Sequence, residues 1–258
     1  MKTLAIIGSN GMLGSDLVRY LGKTFDIKSI NKENYQTYIG QSFDVVINAN
    51  GNSKRFWANE NPTEDFSAST SSVISSIFDF PCDLYVYFSS PDVYESHNSP
   101  EHTTEDQTIN SEKLSPYGFH KYLAELIVKK YAKKFIILRP AMILGSNLRK
   151  GPIYDALQSK PLFVTLETKL QLITTKVICE IIKIILERSL NSIILNIGGR
   201  DNFNFTKIQD YFDQKIKISE DAKTQTYMMN VKKLKSLYPT LKTSEEYLLD
   251  FLKDNNLK

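Results

Sequence analysis

Tyr117 and Lys121 stand four residues apart in the run Tyr117-Gly-Phe-His-Lys121. Positions i and i+4 share one face of a helix, so the phenol and the ammonium point the same way. A neighbouring cation lowers a phenol pKa from its reference of about 10. Tyr117 could then exchange a proton with a carbonyl or hydroxyl near neutral pH. Ser90 follows the apolar run 83–89. A serine at the carboxyl end of a parallel strand faces the crevice where ligands bind. Ser90 could hydrogen-bond the same oxygen that Tyr117 protonates. Each signal alone has a plain alternative: a surface Tyr–Lys pair in a Lys-rich helix, and a serine that merely ends a strand.

A second constellation opens the chain. Residues 4–7 form an apolar run, followed by Gly8-Ser9-Asn10-Gly11-Met12-Leu13-Gly14 and a helical pattern. Such glycines permit a tight turn, close approach of backbone to a pyrophosphate, and close helix–strand packing. The phosphates would rest on free N–H groups at the helix N-terminus. Gly8, Asn10, Gly11, Met12, Leu13 and Gly14 are therefore the expected cofactor loop, although the spacing is G-x-x-G-x-x-G and an ordinary glycine-rich turn is the alternative. The end of the second strand usually carries a carboxylate for the ribose of NAD. Here it carries Asn31 and Lys32, with no carboxylate before Glu33, which favours NADP(H) over NAD(H).

These side chains need strands and helices to position them. The pattern predicts strands at 4–7, 25–30, 44–48, 83–89, 135–138 and 192–197. It predicts helices at 12–21, 32–41, 62–79, 115–133 and 175–188. Strands alternating with helices imply βαβ units and a parallel sheet covered on both faces. Residues 146–173 break the rhythm, and 200–258 read as mostly helical.

In chain order, the signals resemble the extended short-chain dehydrogenase/reductase superfamily of nucleotide-sugar epimerases, dehydratases and reductases. They are Gly8/Gly11/Gly14, Asp44-Val-Val-Ile-Asn-Ala-Asn-Gly51, Asn61-Pro62, Phe88-Ser-Ser-Pro-Asp-Val-Tyr94, Tyr117/Lys121 and Leu138-Arg-Pro-Ala-Met-Ile-Leu-Gly145. The likeness spans about residues 1–200. The short chain and Gly11-Met-Leu-Gly14 look like the 4-keto-sugar reductases that make deoxysugars. The resemblance implies an α/β fold, a Rossmann-type parallel sheet flanked by helices. Residues 1–145, completed by 174–198, would form its core. Residues 146–173 and 199–258 would form a small, mostly helical substrate lobe.

The resemblance also implies roles. Tyr117 would be the general acid/base, Lys121 would lower its pKa and hold the nicotinamide ribose, and Ser90 would orient the substrate oxygen. Ala49, Asn50 and Gly51 would line the cofactor. Ser90 and Pro91 would border the sugar, and Asn147, Arg149 and Lys150 would meet a diphosphate, Arg by a bidentate fork. Lys54, Arg55 and Trp57 rank lower. His120, adjacent to Lys121, would point away from Tyr117 and be structural. The implied reaction is reduction of a keto group, at C4, on a nucleotide-linked deoxysugar destined for surface polysaccharide. The alternatives are an epimerase with tightly bound NAD, or a non-catalytic NAD(P)-binding interaction protein. A homodimer through helices 62–79 and 115–133 is expected.

The chain also departs from the family. The 4,6-dehydratases carry Thr-Asp-Glu where this chain has Ser90-Pro91-Asp92, which argues against dehydration. Only 13 positions separate Asn31 from Asp44, so a third strand should be missing and the adenine end more open. An asparagine usual in the family is replaced near Ser69.

Composition sets the outer limits. The chain has 258 residues, 41% apolar and 24% charged, with a net charge of +3. That balance gives no argument for nucleic acid. Cys82 and Cys179 make no disulfide framework, and three histidines make no metal-site pattern. The most apolar stretch, 177–186, is interrupted by Glu180 and Lys183, whereas spanning a membrane needs about 20 apolar residues. A cytoplasmic protein is expected. Residues 146–258 carry 18 Lys/Arg against 13 Asp/Glu, an excess that suits an anionic substrate as well as a solvated surface.

Overall fold

The computed structural model describes residues 1–212 and 215–256. Four positions of the expected lobe, 213–214 and 257–258, lie outside the described residues. The first half runs β1 (Thr3–Ile7), α1 (Met12–Leu21), β2 (Asp26–Ile30), α2 (Tyr35–Tyr38), β3 (Phe43–Asn48), α3 (Arg55–Glu60), α4 (Pro62–Phe66), a π turn (Ser67–Ser71), α5 (Ser72–Asp79) and β4 (Cys82–Phe88). After 3-10 turns comes α6 (Pro116–Tyr131), then β5 (Phe135–Pro140), β6 (Met142–Leu144), α7 (Pro152–Leu157), β7 (Leu162–Val164), β8 (Lys169–Leu170) and β9 (Leu172–Thr174). The chain continues through α8 (Thr175–Glu187), β10 (Ile193–Ile197), β11 (Phe203–Asn204), β12 (Ile218–Lys223), α9 (Lys232–Leu237) and α10 (Ser244–Asp254).

Six strands form one parallel sheet in the order β10-β5-β4-β3-β1-β2. Both faces are buried, which explains why the strands are apolar runs instead of alternating ones. Side chains still alternate between two layers. Leu4, Ile6, Val45, Ile47, Val86, Ile136 and Leu138 pack with α1 and α8. Ala5, Ile7, Val46, Tyr85, Tyr87 and Ile137 pack on the other face with α5 and α6. A further core joins Ile153, Leu162, Leu172, Phe203, Phe205, Ile208 and Leu248.

The expected loss of a third strand is seen. Residues 31–42 hold only α2, and β2 is the sheet edge. Two expectations need correction. The helix expected at 62–79 is divided by the π turn at 67–71. Residues 55–60, where the pattern predicts no element, are helical. Residues 200–258 are not mostly helical: β11 pairs with β8, and β12 runs beside β7. Phe203, Phe205 and Phe212 instead fill the further core around a 3-10 turn.

Candidate active site

Strand order reverses at β1, whose neighbours are β2 and β3. Loops leaving β1 and β3 therefore part there and open a crevice. Gly8 sits in it at φ +83°, and a Cβ on it would stand 2.9 Å from the Asn50 nitrogen. A Cβ on Gly14 would stand 2.1 Å from the Gly8 carbonyl oxygen. The Gly8 and Ser9 N–H groups donate to the Ile30 carbonyl at 2.9 and 3.1 Å, and the Gly11 N–H to the Gly8 carbonyl at 3.0 Å. Gly11 caps α1 with no side-chain hydrogen bond. The N–H groups of Met12, Leu13 and Gly14, in the first turn, lack intrahelical acceptors, and the helix dipole there favours an anion.

The Ser9 and Ser89 hydroxyls are buried without a partner among the described residues. Orphaned buried donors beside a glycine cradle fit a dinucleotide. Ala49 and Asn50 follow β3 and meet this loop, while Gly51 turns beside Lys121. Asn31 accepts from the Glu33 and Asn34 N–H groups at 2.9 and 3.2 Å, while Lys32 is exposed.

Ser90, Tyr117 and Lys121 come together, each buried. β4 delivers Ser90 into a 3-10 turn at Pro91–Val93. Its hydroxyl donates to Asp92 Oδ2 at 2.8 Å and accepts from the Asp92 N–H at 3.2 Å. Ser115 caps α6 by accepting from the Gly118 N–H at 3.2 Å, with Pro116 in the first turn. Gly118 lets α6 press on the Ser90 turn, since a Cβ there would stand 2.1 Å from the Asp92 carbonyl oxygen.

The Lys121 ammonium donates to the Phe88 carbonyl at 3.2 Å and lies 5.3 Å over the Tyr87 ring. Burial pulls it down to about 8, against the pull of the Asp65 and Glu125 carboxylates. Burial pushes the Tyr117 phenol above its ordinary range, and the Asp92 carboxylate adds to this. The Ser90 hydroxyl and the Arg55 guanidinium work the other way. The charges that lead on the phenol are those of Asp92, Arg55 and Asp65, and the Lys121 ammonium is turned to the Phe88 carbonyl.

Arg55, ranked low from sequence, lies at this centre. Its Nη1 donates to Asp92 Oδ1 at 3.2 Å and also to the Tyr227 hydroxyl, and its Nη2 to Gln225 at 3.3 Å. Tyr227 donates to Asp92 Oδ1 at 2.8 Å, and His97 stacks on its ring at 3.8 Å. Tyr227 and Gln225 gave no sequence signal, since both lie far along the chain in a segment read as helical.

The expected diphosphate residues do not share one place. Asn147 donates to the Ser15 hydroxyl on α1 at 3.1 Å. Lys150 donates to Ser53, with 2.6 Å to its hydroxyl, and partial burial with the Lys54 and Arg55 cations pulls its ammonium down to about 8. Arg149 is exposed. Nearby, Asp16 is buried on α1 and accepts from Ser146 N–H at 2.9 Å and from Thr175 at 2.6 Å, binding α1 to the chain beyond β6 and to α8. No group of three or more metal-ligating side chains occurs among the described residues, and no helix among them is long and apolar enough to cross a membrane.

A parallel sheet that gathers a glycine loop and a Ser–Tyr–Lys set at its reversal point defines a class, the extended short-chain dehydrogenases/reductases, which are NAD(P)-dependent enzymes. Residues 4–160 match the NAD dependent epimerase/dehydratase family, and the chain belongs to that family. No curated protein matches the sequence. Several solved structures share its fold. A UDP-galactose 4-epimerase is 20% identical, with TM-score 0.76, covering 98% of this chain and 99% of its own. A dTDP-4-dehydrorhamnose reductase from Bacillus anthracis str. Ames in complex with NADP is 16% identical, with TM-score 0.79, covering 98% of each chain. A UDP-glucose 4-epimerase from Thermotoga maritima with UDP-glucose is 14% identical, with TM-score 0.75, covering 99% of this chain and 100% of its own.

Proposed function

We propose that the protein reduces a keto group, at C4, on a nucleotide-activated deoxysugar, with NADP(H) preferred over NAD(H). The convergence of buried Ser90, Tyr117 and Lys121 beside the glycine loop carries this reading. The bound nicotinamide supplies the hydride. Tyr117 gives its phenolic proton to the substrate oxygen, and the raised pKa set by burial and Asp92 keeps that proton in place until the oxygen takes it. Ser90 fixes the position of that oxygen. Lys121 holds the cofactor ribose, and the first turn of α1 takes the pyrophosphate. Lys150, beside the Lys54 and Arg55 cations, offers a basic rim to the nucleotide diphosphate. The cofactor preference rests on Asn31 and exposed Lys32 at the end of β2, with no carboxylate before Glu33.

The test is loss of NADPH or NADH absorbance with a panel of nucleotide-linked 4-keto-6-deoxyhexoses. At least one sugar is expected to be reduced, faster with NADPH. Tyr117→Phe should lower turnover about 100- to 10,000-fold while leaving cofactor binding intact. Oxidation with no member of the panel would overturn the reductase reading.

One observation favours the second reading, an epimerase with tightly bound NAD. A carboxylate only accepts, so the Ser90 hydroxyl must give its proton to Asp92. Ser90 then offers an acceptor that suits a substrate hydroxyl better than a ketone. Stoichiometric NAD retained through purification would support it.

The homodimer remains part of the proposal. α5 exposes Phe78, 64% accessible, α6 exposes Tyr131 and Leu126, 48% and 41%, and Phe66 at the end of α4 is 41% accessible. Such a cluster fits a helix-to-helix interface between two copies.

A further inference from the structure

We infer that Asp65, oriented by His120, is a positioning residue that supplies the counter-charge of the Lys121 ammonium and fixes its place against the Gly51 turn. The inference rests on the reading of Lys121 as the residue that holds the cofactor. Asp65 on α4 is 0% exposed, and three donors from separate segments meet it. His120 Nδ1 lies 2.6 Å from Oδ2. Asn52 Nδ2 and Ser69 Oγ donate to Oδ1 at 2.8 and 3.1 Å. Since a carboxylate only accepts, Nδ1 of His120 carries the proton.

Hydrogen bonds carry the network to Asn52, next to the Gly51 turn. The Ser69 hydroxyl accepts the Asn52 N–H at 3.3 Å. Gly51, at φ +122°, precedes Asn52, and a Cβ on it would stand 3.4 Å from Lys121 Nζ and 3.8 Å from Ser69 Oγ. The ammonium is thus lodged against the turn that Asp65 braces. The π turn at 67–71 brings Ser69 inward, and Thr70 donates to the His120 carbonyl at 3.0 Å.

Charge accounting singles out Asp65. Four titratable side chains face Lys121: Asp65 from α4, Tyr87 from β4, and Glu125 and Tyr117 from α6. His120 joins them through Asp65. Glu125 is already held by Arg139 of β5, with Nε to Oε1 at 2.8 Å and Nη2 to Oε2 at 2.7 Å. Asp65 is therefore the carboxylate left to balance the Lys121 ammonium. A buried carboxylate without a cation is costly, so the two charges depend on each other. Among the attractive influences on Lys121, the Asp65 carboxylate is the larger.

The experiment is fluorescence titration of NADPH and NADH binding to the full chain, from about pH 6 to about pH 10. The variants are Asp65→Asn, His120→Asn, His120→Phe and Lys121→Met, with melting temperatures alongside. Affinity of the unsubstituted protein should fall above about 8. In D65N the fall should move to lower pH by about one unit, with about twofold weaker binding at about pH 7 and about tenfold weaker binding near about pH 9. H120N keeps a donor where Nδ1 was and should bind like the unsubstituted protein, whereas H120F should shift as D65N does. If D65N does not fold, the two His120 variants read the same effect. An unmoved pH midpoint in D65N and H120F, even with lower melting temperatures, would make the pair merely structural and overturn the inference. Unchanged binding in K121M would instead overturn the cofactor reading on which it rests.

Discussion

Lys121 is an ammonium buried where few ammoniums go, and its energetics can be read apart from any reaction. Its folded pKa of about 8 lies below the ordinary 10.5. Between those values the unfolded chain holds a proton that the folded chain has released. Stability therefore rises with pH across that window, and the burial cost is fully felt below about 8. Lys121→Met should remove that cost but leave the buried Asp65 carboxylate unbalanced, so the cofactor-free protein at neutral pH should gain less than about 3 kcal/mol. The gap between the two proteins should narrow from pH 8 toward 10.5. Melting curves across that range check it, and a gap independent of pH would show that the cost comes from packing. Cofactor affinity should fall in the same variant, the trade expected where a strained group is kept for its function. At this scale Tyr117, Lys121 and Ser90 were legible, because their spacing and place after a strand carried the signal. The grip of Asp92 on Ser90 was not, since it depends on a carboxylate two residues on that folds back in a 3-10 turn.

Elements place these residues through close contacts that leave no room for a side chain. Gly118 sits in the first turn of α6, where a glycine is a poor helix former, and its backbone meets the Asp92 carbonyl. Gly118→Ala would force α6 away from the Ser90 turn. The expected result is a stability loss of about 1–3 kcal/mol by urea unfolding, together with a loss of turnover beyond what the remaining folded fraction explains. Turnover that simply follows the folded fraction would show that α6 can shift without misplacing Tyr117. The glycine loop behaves alike: Gly14 lets α1 touch Gly8, and Gly8 lets the loop touch Asn50. Strand and helix positions were readable from apolar runs and helical spacing. The π turn was not, since one extra residue per turn leaves no mark on a serine-rich stretch and is set by its contacts with His120 and Asp65.

Across the whole molecule, the sheet and the further core are joined at the site itself. Arg55 follows β3, Asp92 follows β4, and Tyr227 comes from the C-terminal segment packed on the further core. Arg55 spans them, so a bound sugar would rest against residues from three distant parts of the chain. α4, α5 and α6 carry the exposed Phe66, Phe78, Leu126 and Tyr131. A dimer is expected by light scattering, and Phe78→Glu combined with Leu126→Glu should give a folded monomer. A monomeric parent protein would overturn that part of the proposal.

The sequence by itself determined the parallel sheet, the missing third strand, the glycine loop and the Ser90–Tyr117–Lys121 set. Apolar runs, chain length between landmarks and residue spacing are local, and each of these features leaves a local mark. Only the tertiary structure decided that Arg55 and Tyr227 clasp Asp92, that Asn147 turns to Ser15, and that His120 meets Asp65. Those are contacts between side chains up to 135 positions apart. They arise from how helices and loops close over the sheet, which no single stretch of sequence specifies.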